Sequence, residues 1–385
     1  MPKLLTNIRF YTVAGIAQYL ASLVDHNEKS EDFDIYGTDI SRPGEIPDVP
    51  YTKRKYKKFH LTKIIVDYPD LDIVNNLSNG DPSIFHSSFG GIIKAYESEI
   101  RRIKPDVILV NGSYFLPWCL LQAAKAYGRA KIVVHYHGVL KKEVEHWPNE
   151  QHKANMLALE KDFDSRDILY IFPSQLARNV VEQEVFKHKI AESVVLPNPI
   201  AEIFFNSKKR RVGKKRIGVI SRWSKIKNMD FVIDMAKYNG KKKEKFEINL
   251  ITDRKSINYG KKKFNNLIRF RRPIQNHSLY KFYISQGIVM SPSTFETYGN
   301  VAQEAIACGT PAFVSKNMGV AEVFRKIGLD RLIIDFDSSA NVLRKAEQIL
   351  DFRIPKESIE QLHDECSSSN VFKKYFSLLS LYRAQ

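Results

Sequence analysis

The chain has 385 residues, of which 43% are hydrophobic, so at about 150 residues per domain it is long enough for two packed domains. Its mean hydropathy is −0.32, and the absence of any apolar run near about 18 residues excludes a predicted membrane-spanning helix. Lysine and arginine number 60 against 43 aspartates and glutamates, and this net charge of +17 favours anionic partners.

The cysteines and the first residues bear on the compartment. Cys119, Cys308 and Cys366 are few and lack metal-ligand spacing, so we expect neither a disulfide framework nor a structural metal site. The opening stretch "MPKLLTNIRFYTVAG" carries one early lysine and no long apolar core before a cleavage site, so we expect no signal peptide. Both features predict a cytoplasmic protein.

The basic residues are concentrated in four runs, at 53–58, 208–216, 240–245 and 260–264. Such runs attract polyanions, and three partners fit: nucleic acid, an anionic membrane face or a phosphate-bearing substrate. For any single run, an ordinary solvated surface is the alternative. Because the sequence has no helix-turn-helix, RNA-recognition or zinc signature, we expect no specific nucleic-acid partner. Peripheral contact with an anionic membrane stays a candidate.

Apolar, β-branched runs alternate with amphipathic runs along the whole chain. The predicted helices include 15–26, 91–103, 114–128 and 229–239. The predicted strands are 106–113, 131–138, 168–174, 216–222, 246–252, 287–293 and 310–316. Buried strands that alternate with helices indicate parallel sheets built from βαβ units. The predicted fold class is therefore α/β with doubly wound parallel sheets.

A boundary is expected at 194–216, where two prolines and a basic run precede the next strand. We therefore place an N-terminal Rossmann-like domain at 1–200 and a C-terminal one at 201–360, facing each other across a cleft. That cleft is the expected binding site. The tail 361–385 has apolar residues at helical spacing and is predicted to be a helix that docks on the N-terminal domain.

The stretch "SPSTFETYGNVAQEAIACGTP" at 291–311 predicts a short helix over 301–308. Asn300 is a favourable N-cap, and Gln303 three residues later would complete a capping-box-like pair. Gly309 suits the position just after the helix. The helix start follows a predicted strand and offers free N–H groups and the positive end of the helix dipole, which together favour an anion.

Two carboxylates flank this helix start. Glu304 lies on an otherwise apolar helix, where a carboxylate costs free energy unless it meets donors, and Glu296 lies in the preceding loop. Structural roles are the alternatives: Glu304 satisfied by backbone amides or an arginine, and Glu296 simply exposed. Acids at such a position could also bind sugar hydroxyls, as an acid binds ribose in dinucleotide folds.

A second charged loop is predicted at the start of the C-terminal domain. A strand ends at Arg222, and a short loop presents Lys225 and Lys227 before a helix that begins near Asn228. Arginine supplies a bidentate fork and lysine a point charge, and both suit a pyrophosphate. We expect this loop to lie at the same end of the sheet as Glu296.

These segments resemble one family. "FETYGNVAQEA" resembles the EX7E motif of the retaining GT-B glycosyltransferases of family 4, and "SRWSKIKN" looks like that family's Arg…Lys diphosphate clamp. Weaker matches are "VLPNPI", "GTPAFVSKNMGVAEVF", "TVAGIAQYLASL" and "VVHYHG". The resemblance covers most of the chain and is specific in the C-terminal half. One departure is Ala14-Gly15, where the family has a Gly-Gly pair in its first loop.

The resemblance implies a role for each candidate residue. Glu304 would bind the ribose hydroxyls, Glu296 would contact the transferred sugar, and Arg222 with Lys227 would neutralise the leaving diphosphate. His137 or His135 would lie near the sugar or acceptor, with burial in a strand as the alternative. The remaining donor-binding positions would be Gly15 and the backbone at Thr297, Tyr298, Gly299 and Asn300.

The implied activity is retaining, metal-independent glycosyl transfer, with no cofactor beyond the donor. A hexose or N-acetylhexosamine would move from a UDP-sugar, favoured over a GDP-sugar, to a glycan or lipid-linked glycan. The expected setting is cell-surface polysaccharide or glycoconjugate biosynthesis in the cytoplasm, at the inner face of the plasma membrane. Two alternatives stay open: a non-catalytic GT-B-like partner subunit, motivated by Ala14-Gly15, and a nucleic-acid binder, based on charge alone.

Overall fold

The computed structural model describes residues 1–8, 15–45, 56–78, 83–207 and 214–384. The chain divides into two compact units. Unit 1 comprises Met1–Leu196 together with Val371–Gln385, and unit 2 comprises Pro197–Asn370. The sequence predicted divisions after residues 200 and 360, and the structure has them after Leu196 and Asn370.

Unit 1 contains a seven-stranded sheet in the order β3-β2-β1-β4-β5-β6-β7, in which every pair is parallel. Its strands are β1 (Lys3–Asn7), β2 (Asp34–Ser41), β3 (Phe59–Ile65), β4 (Val107–Asn111), β5 (Lys131–His135), β6 (Ile168–Phe172) and β7 (Ser193–Val195). The central strands β4 and β6 are buried along their whole length, which explains their continuous runs of apolar residues.

The helices of unit 1 connect these strands. They are α1 (Gly15–Ser30), α2 (Leu71–Ser78), α3 (Ser83–Ser88), α4 (Gly90–Ile103), α5 (Phe115–Tyr127), α6 (Leu140–Glu143), α7 (Glu150–Lys161) and α8 (Gln175–Val180). A π-helical stretch, Val181–Phe186, continues α8. Side-chain caps fix two starts: Asn149 accepts from the His152 N–H at α7, and Ser174 accepts from the Ala177 N–H at α8.

Unit 2 contains a five-stranded parallel sheet in the order β10-β9-β8-β11-β12. Its strands are β8 (Arg216–Ile220), β9 (Glu247–Ile251), β10 (Arg269–Arg271), β11 (Ile288–Ser291) and β12 (Ala312–Val314). Its helices are α9 (Glu202–Phe205), α10 (Met229–Gly240), α11 (Arg254–Phe264), α12 (Asn276–Ser285), α13 (Asn300–Ala307), α14 (Val320–Lys326), α15 (Ser339–Gln348) and α16 (Lys356–Cys366). A 3₁₀ turn, Asp330–Leu332, follows α14.

The last helix, α17 (Ser368–Ala384), packs against unit 1 from Val371 onward. Its buried residues recur at helical spacing and join the unit 1 core, which includes strand and helix residues from the start of the chain. The buried residues of α17 in this core are Phe372, Tyr375, Phe376, Leu379 and Tyr382.

The predicted fold class is confirmed, since both units are α/β with wholly parallel sheets. Across the described ranges, no helix combines the length and apolar character needed to cross a membrane.

Candidate active site

The loop from β8 to α10 holds three predicted cations, Arg222, Lys225 and Lys227, at the carboxyl end of β8. Two successive turns shape it: the Lys227 N–H donates to the Ser224 carbonyl at 3.2 Å, and the Asn228 N–H donates to the Lys225 carbonyl at 2.8 Å. Asn228 then adopts the left-handed conformation, with φ of 52°, and begins α10. Arg222 and Lys225 are exposed, whereas Lys227 is half-buried.

The loop from β11 to α13 is attached to this first loop, because β8 and β11 are neighbours in the sheet. The N–H and the hydroxyl of Thr294 both donate to the Ile226 carbonyl, at 2.9 and 3.2 Å. The main chain of Glu296 is fixed on both sides: its N–H donates to the Asn317 carbonyl and its carbonyl accepts from the Gly319 N–H, each at 3.1 Å. The expected meeting of the two loops is therefore present.

Glycines delimit α13 at both ends. Gly299, with φ of +127°, precedes the helix, and a Cβ there would lie 2.8 Å from Met318 Cε and 2.9 Å from Val320 Cγ1. Any larger residue would strain the backbone and clash. Gly309, with φ of +74°, follows the helix in the left-handed conformation, as predicted.

The predicted capping box is wrong. The helix starts at Asn300 itself, Gly299 occupies the N-cap position, and no side-chain cap bond forms. Asn300 Oδ1 instead accepts from Asn198 Nδ2 at 2.8 Å. Gln303 donates to the Asn198 carbonyl at 3.2 Å and accepts from the Tyr298 hydroxyl at 2.9 Å. Both amide side chains are therefore engaged in tertiary contacts, which outcompete the local cap.

Glu296 and Lys227 form an ion pair between these two loops. Lys227 Nζ lies 2.9 Å from Glu296 Oε1, and the two side chains are only 20% and 21% exposed. The Ser293 hydroxyl also donates to Glu296 Oε1, at 2.5 Å. Partial burial strengthens this pair relative to a surface salt bridge. Ser293 was not among the residues predicted from the sequence, although it lies only two residues after the end of β11.

A cavity of about 170 Å³ lies at this carboxyl edge of the unit 2 sheet. Its lining brings together Arg222, Lys227 and Glu296 with Val301, which belongs to the first turn of α13. The positive end of the helix therefore borders the same space as the two cations. Nearby, the N–H groups of Tyr298 and Gly299 donate no hydrogen bond within the described part of the chain. These features together suit an anionic group such as a diphosphate.

Glu304 lies one helical turn further and does not line that cavity. The Tyr283 hydroxyl donates to its Oε2 at 2.6 Å, and no other donor bonds to the carboxylate within the described residues. Burial raises the pKa of Glu304 to about 7, although the Tyr283 hydrogen bond lowers it. Neither of the expected structural partners, an arginine or backbone amides, is therefore the group that satisfies Glu304. Tyr283 was missed because it lies on α12, far from the motif.

The side chains of Thr297 and Tyr298 are buried in unit 2. Besides its bond to Gln303, the Tyr298 hydroxyl lies 3.5 Å from Cys366 Sγ, and burial raises its pKa well above the ordinary value. A backbone role for Tyr298 in donor binding stays a prediction. Its carbonyl already accepts from the Val320 N–H at 2.9 Å.

His137 lies at the carboxyl edge of the unit 1 sheet, just beyond β5. Its Nε2 is 2.6 Å from Asn111 Oδ1, and because an amide oxygen only accepts, Nε2 donates. Asn111 is fixed in turn by Asn7, through bonds of 2.8 Å and 3.0 Å to its main-chain N–H and carbonyl. Burial lowers the pKa of His137 to about 3, so its ring is neutral. Neither asparagine was predicted, although each ends a strand.

His135 is a core residue of unit 1. It is 1% exposed, and neither ring nitrogen has a hydrogen-bond partner among the described residues. Its ring lies 4.1 Å from that of His137, 4.8 Å from Tyr19 and 5.7 Å from Tyr375. Burial lowers its pKa well below the ordinary value, so it packs as a neutral aromatic ring. This arrangement matches the alternative of burial in a strand.

Gly15 is the first residue of α1 and is exposed. The residues before it, 9–14, lie outside the described part of the chain, and Ala14 is among them.

Of the predicted site residues, the structure brings together Arg222, Lys227 and Glu296 at the start of α13. Glu304 lies next to this group.

Residues 201–363 match the family described as glycosyl transferases group 1. No curated protein matches the sequence significantly. Among solved structures, the chain is similar to a sucrose-phosphate synthase from Thermosynechococcus elongatus, at 14% identity and a TM-score of 0.75, covering 100% of both chains. It is also similar to a glycosyltransferase from Rickettsia africae ESF-5, at 14% identity and a TM-score of 0.65, over 100% of this chain and 98% of that one. A third similar structure, described as trehalose-6-phosphate from E. coli bound with UDP-2-fluoro glucose, is 13% identical with a TM-score of 0.67, over 100% and 99%.

At these identities the structural likeness establishes the fold alone. The two parallel-sheet units match the GT-B arrangement of these structures along their whole length. The family match falls within unit 2, which also contains the cation and carboxylate loops described above. Unit 2 thus contains the stretch that matches the glycosyl transferases group 1 model, and the chain has the fold of these GT-B structures.

Proposed function

We propose that the chain is a retaining glycosyltransferase of family 4 that moves a hexose or N-acetylhexosamine from a UDP-sugar to a glycan or lipid-linked glycan. The observation that carries this proposal is the half-buried Lys227–Glu296 pair, which lines one cavity with Arg222 and the first turn of α13. The domain that contains the cavity matches the glycosyl transferases group 1 model, which supports transfer chemistry over mere anion binding.

The charges suit departure of a diphosphate. Breaking the bond between the anomeric carbon and the diphosphate oxygen leaves negative charge on that oxygen and an oxocarbenium-like sugar. Arg222, Lys227 and the positive end of α13 are aimed at one cavity and would stabilise the developing charge without a metal. A preorganised donor of this kind contributes about 2.7–4 kcal/mol to the transition state.

Glu296 would serve the sugar side of the same cavity. Its Oε1 is held by Lys227 and Ser293, at 2.9 and 2.5 Å, so the carboxylate is oriented before the donor arrives. In the retaining reaction the acceptor oxygen attacks the anomeric carbon from the face that the diphosphate leaves. The acceptor proton passes to the departing diphosphate oxygen, which balances the step without a further base.

Glu304 would bind the ribose of the donor. Tyr283 holds Oε2, which leaves Oε1 without a hydrogen bond from the described residues and able to accept from a ribose hydroxyl. His137, neutral and held by Asn111, would contact the sugar or the acceptor. A UDP-sugar is favoured over a GDP-sugar, in keeping with the UDP-2-fluoro glucose named for one of the similar structures.

A ligand screen tests the proposal. Thermal unfolding of the full chain is followed with UDP, GDP and their common sugars, and bound donors are then assayed for transfer to glycan acceptors. We expect stabilisation by a UDP-sugar that Glu304→Ala reduces at equal ligand concentration and that the surface control Arg325→Ala leaves intact. Donor binding without transfer to any acceptor would favour the non-catalytic partner subunit. Absence of stabilisation by every nucleotide-sugar would reject the function.

A further inference from the structure

A second charged surface lies at the opposite edge of the unit 2 sheet. In a βαβ unit each helix runs back antiparallel to its strands, so the end of the helix and the start of the next strand share one edge. Strands β8, β9 and β10 are neighbours, and the segments that lead into them are all basic. We call this set the basic rim: Lys215, Arg216, Lys241, Lys242, Lys243, Lys245, Lys261, Lys262, Lys263 and Arg269.

Acidic residues neutralise only part of the basic rim. Glu244 pairs with Lys215, and Glu347 pairs with Lys242 at 2.9 Å. Glu247 pairs with both rim arginines, Arg216 at 3.2 Å and Arg269 at 3.3 Å. The other rim lysines have no ion pair within the described ranges, and all of them are exposed: Lys241, Lys243, Lys245, Lys261, Lys262 and Lys263. The spare charge of the rim is therefore carried by lysine alone.

Two exposed tyrosines accompany these lysines. Tyr238, in the last turn of α10, is 41% exposed, and Tyr259, on α11, is 49% exposed. Lys263 Nζ lies 4.6 Å from the centre of the Tyr259 ring. Helices α10 and α11 belong to consecutive crossovers in the same direction across the sheet, so both lie on one of its faces. Tyrosine beside lysine is the pairing found where proteins meet lipid headgroups.

We propose that the basic rim docks unit 2 onto an anionic lipid bilayer. Lysine is a mobile point charge that suits a fluid layer of headgroups, whereas arginine is the residue that grips a fixed phosphate with a bidentate fork. Both rim arginines are already bound to Glu247, and this disfavours specific recognition of a nucleic-acid backbone. Each lysine at an anionic leaflet strengthens binding by about fivefold. The rim thus supplies charge complementarity without sequence recognition.

The position of the basic rim leaves the candidate active site open. Arg222 and Lys227 follow the carboxyl end of β8, whereas Lys215 and Arg216 lie at its amino end. A bilayer at the rim therefore covers the edge of unit 2 that carries no donor-binding residue. The docking proposal rests on the exposed lysines of the basic rim and does not require the proposed function.

Co-sedimentation of the full chain with vesicles tests the docking. Vesicles of phosphatidylcholine alone are compared with vesicles that also contain phosphatidylglycerol, at low and high salt. We expect binding to the anionic vesicles only, and weaker binding at high salt because the Debye length shortens. The double variant Lys261→Gln/Lys262→Gln should lose about 25-fold in partition coefficient.

The matched control is Lys281→Gln/Lys356→Gln, which removes the same charge from exposed positions of unit 2 outside the rim. It should change the partition coefficient less than twofold, and both variants should keep the thermal unfolding midpoint. Equal losses in rim and control variants would overturn the proposal, because net charge alone would then explain binding. Equal binding to neutral vesicles, or tighter binding to a single-stranded oligonucleotide than to anionic vesicles, would overturn it too.

Discussion

The charged side chains at the two edges of the unit 2 sheet differ in burial and in ion pairing. At the carboxyl edge, Lys227 and Glu296 are half-buried, paired at 2.9 Å and tied to a cavity of about 170 Å³. At the amino edge, the spare lysines of the basic rim are exposed and unpaired within the described residues. In sequence both edges look like charge clusters. The carboxyl edge has paired, partly buried charges beside a helix start, and these features suit a binding site for a diphosphate. The amino edge lacks them and suits contact with a charged surface.

The largest expected effect is a loss of activity on replacing a cation at the carboxyl edge. Arg222→Ala should lower kcat/KM by about 100- to 1000-fold, because it removes a cation aimed at the leaving diphosphate. The same variant should bind anionic vesicles as the unmodified chain does, since Arg222 lies outside the rim. Steady-state kinetics and co-sedimentation on one preparation check both parts. A drop of less than fivefold, with Arg325→Ala as the control, would count against the assignment.

The next effect concerns donor binding. Glu304→Ala should weaken the affinity for a UDP-sugar by about 10- to 100-fold, because a hydrogen bond to a charged group contributes about 1.5–3 kcal/mol. Tyr283→Phe should weaken it less, by about fivefold, since the carboxylate would lose only its orienting donor. Calorimetric titration measures both. If Tyr283→Phe proved the more damaging change, the carboxylate would not be the ribose ligand.

The pKa of Glu304 makes that binding depend on pH. The ionised carboxylate accepts a hydrogen bond from ribose more strongly than the neutral acid does, and its pKa of about 7 in the free chain means that protonation competes below neutrality. Affinity for the UDP-sugar should therefore fall by about fivefold as the pH drops from 7 to 6, because the ionised fraction falls from about one half to about one tenth. Glu304→Gln should bind weakly at both pH values without this dependence. An equally steep loss in the Glu304→Gln variant would assign the pH effect to another group.

The smallest expected effect is on turnover and comes from a residue of unit 1. His137→Gln should lower turnover by less than about tenfold, because it alters one neutral hydrogen bond. With its pKa near 3, His137 is neutral across the working range, so the pH profile of turnover between pH 5 and 8 should keep its shape. If the rise or the fall of turnover with pH disappeared in the variant, His137 would have to titrate during the reaction.

Much of the fold could be predicted from the sequence, because parallel strands buried on both faces leave continuous apolar runs such as those of β4 and β6. The helix at Asn300 was predicted for a partly wrong reason. Asparagine is a good N-cap in isolation, but Asn198 offers it a tertiary partner. Tertiary contacts of this kind leave no local pattern in the sequence.

The site was predictable only in part for the same reason. The motif identified Glu296, Glu304, Arg222 and Lys227 by type and spacing, but the pairing of Lys227 with Glu296 depends on the adjacency of β8 and β11. Tyr283 orients Glu304 from a different helix, which spacing along the chain does not reveal. Likewise, the basic runs at 240–245 and 260–264 were visible in sequence, and only the strand order places them on one edge.

Photolabelling with a UDP-sugar that carries an azide on its base tests the central claim most directly. Labelled peptides are mapped after irradiation with and without excess UDP-sugar. The account predicts label that the competitor suppresses, in the loops that follow the carboxyl ends of the unit 2 strands, such as 221–228 and 292–300. Label confined to the basic rim, at 241–245 and 261–263, would contradict it, because the nucleotide would then be attracted by surface charge alone.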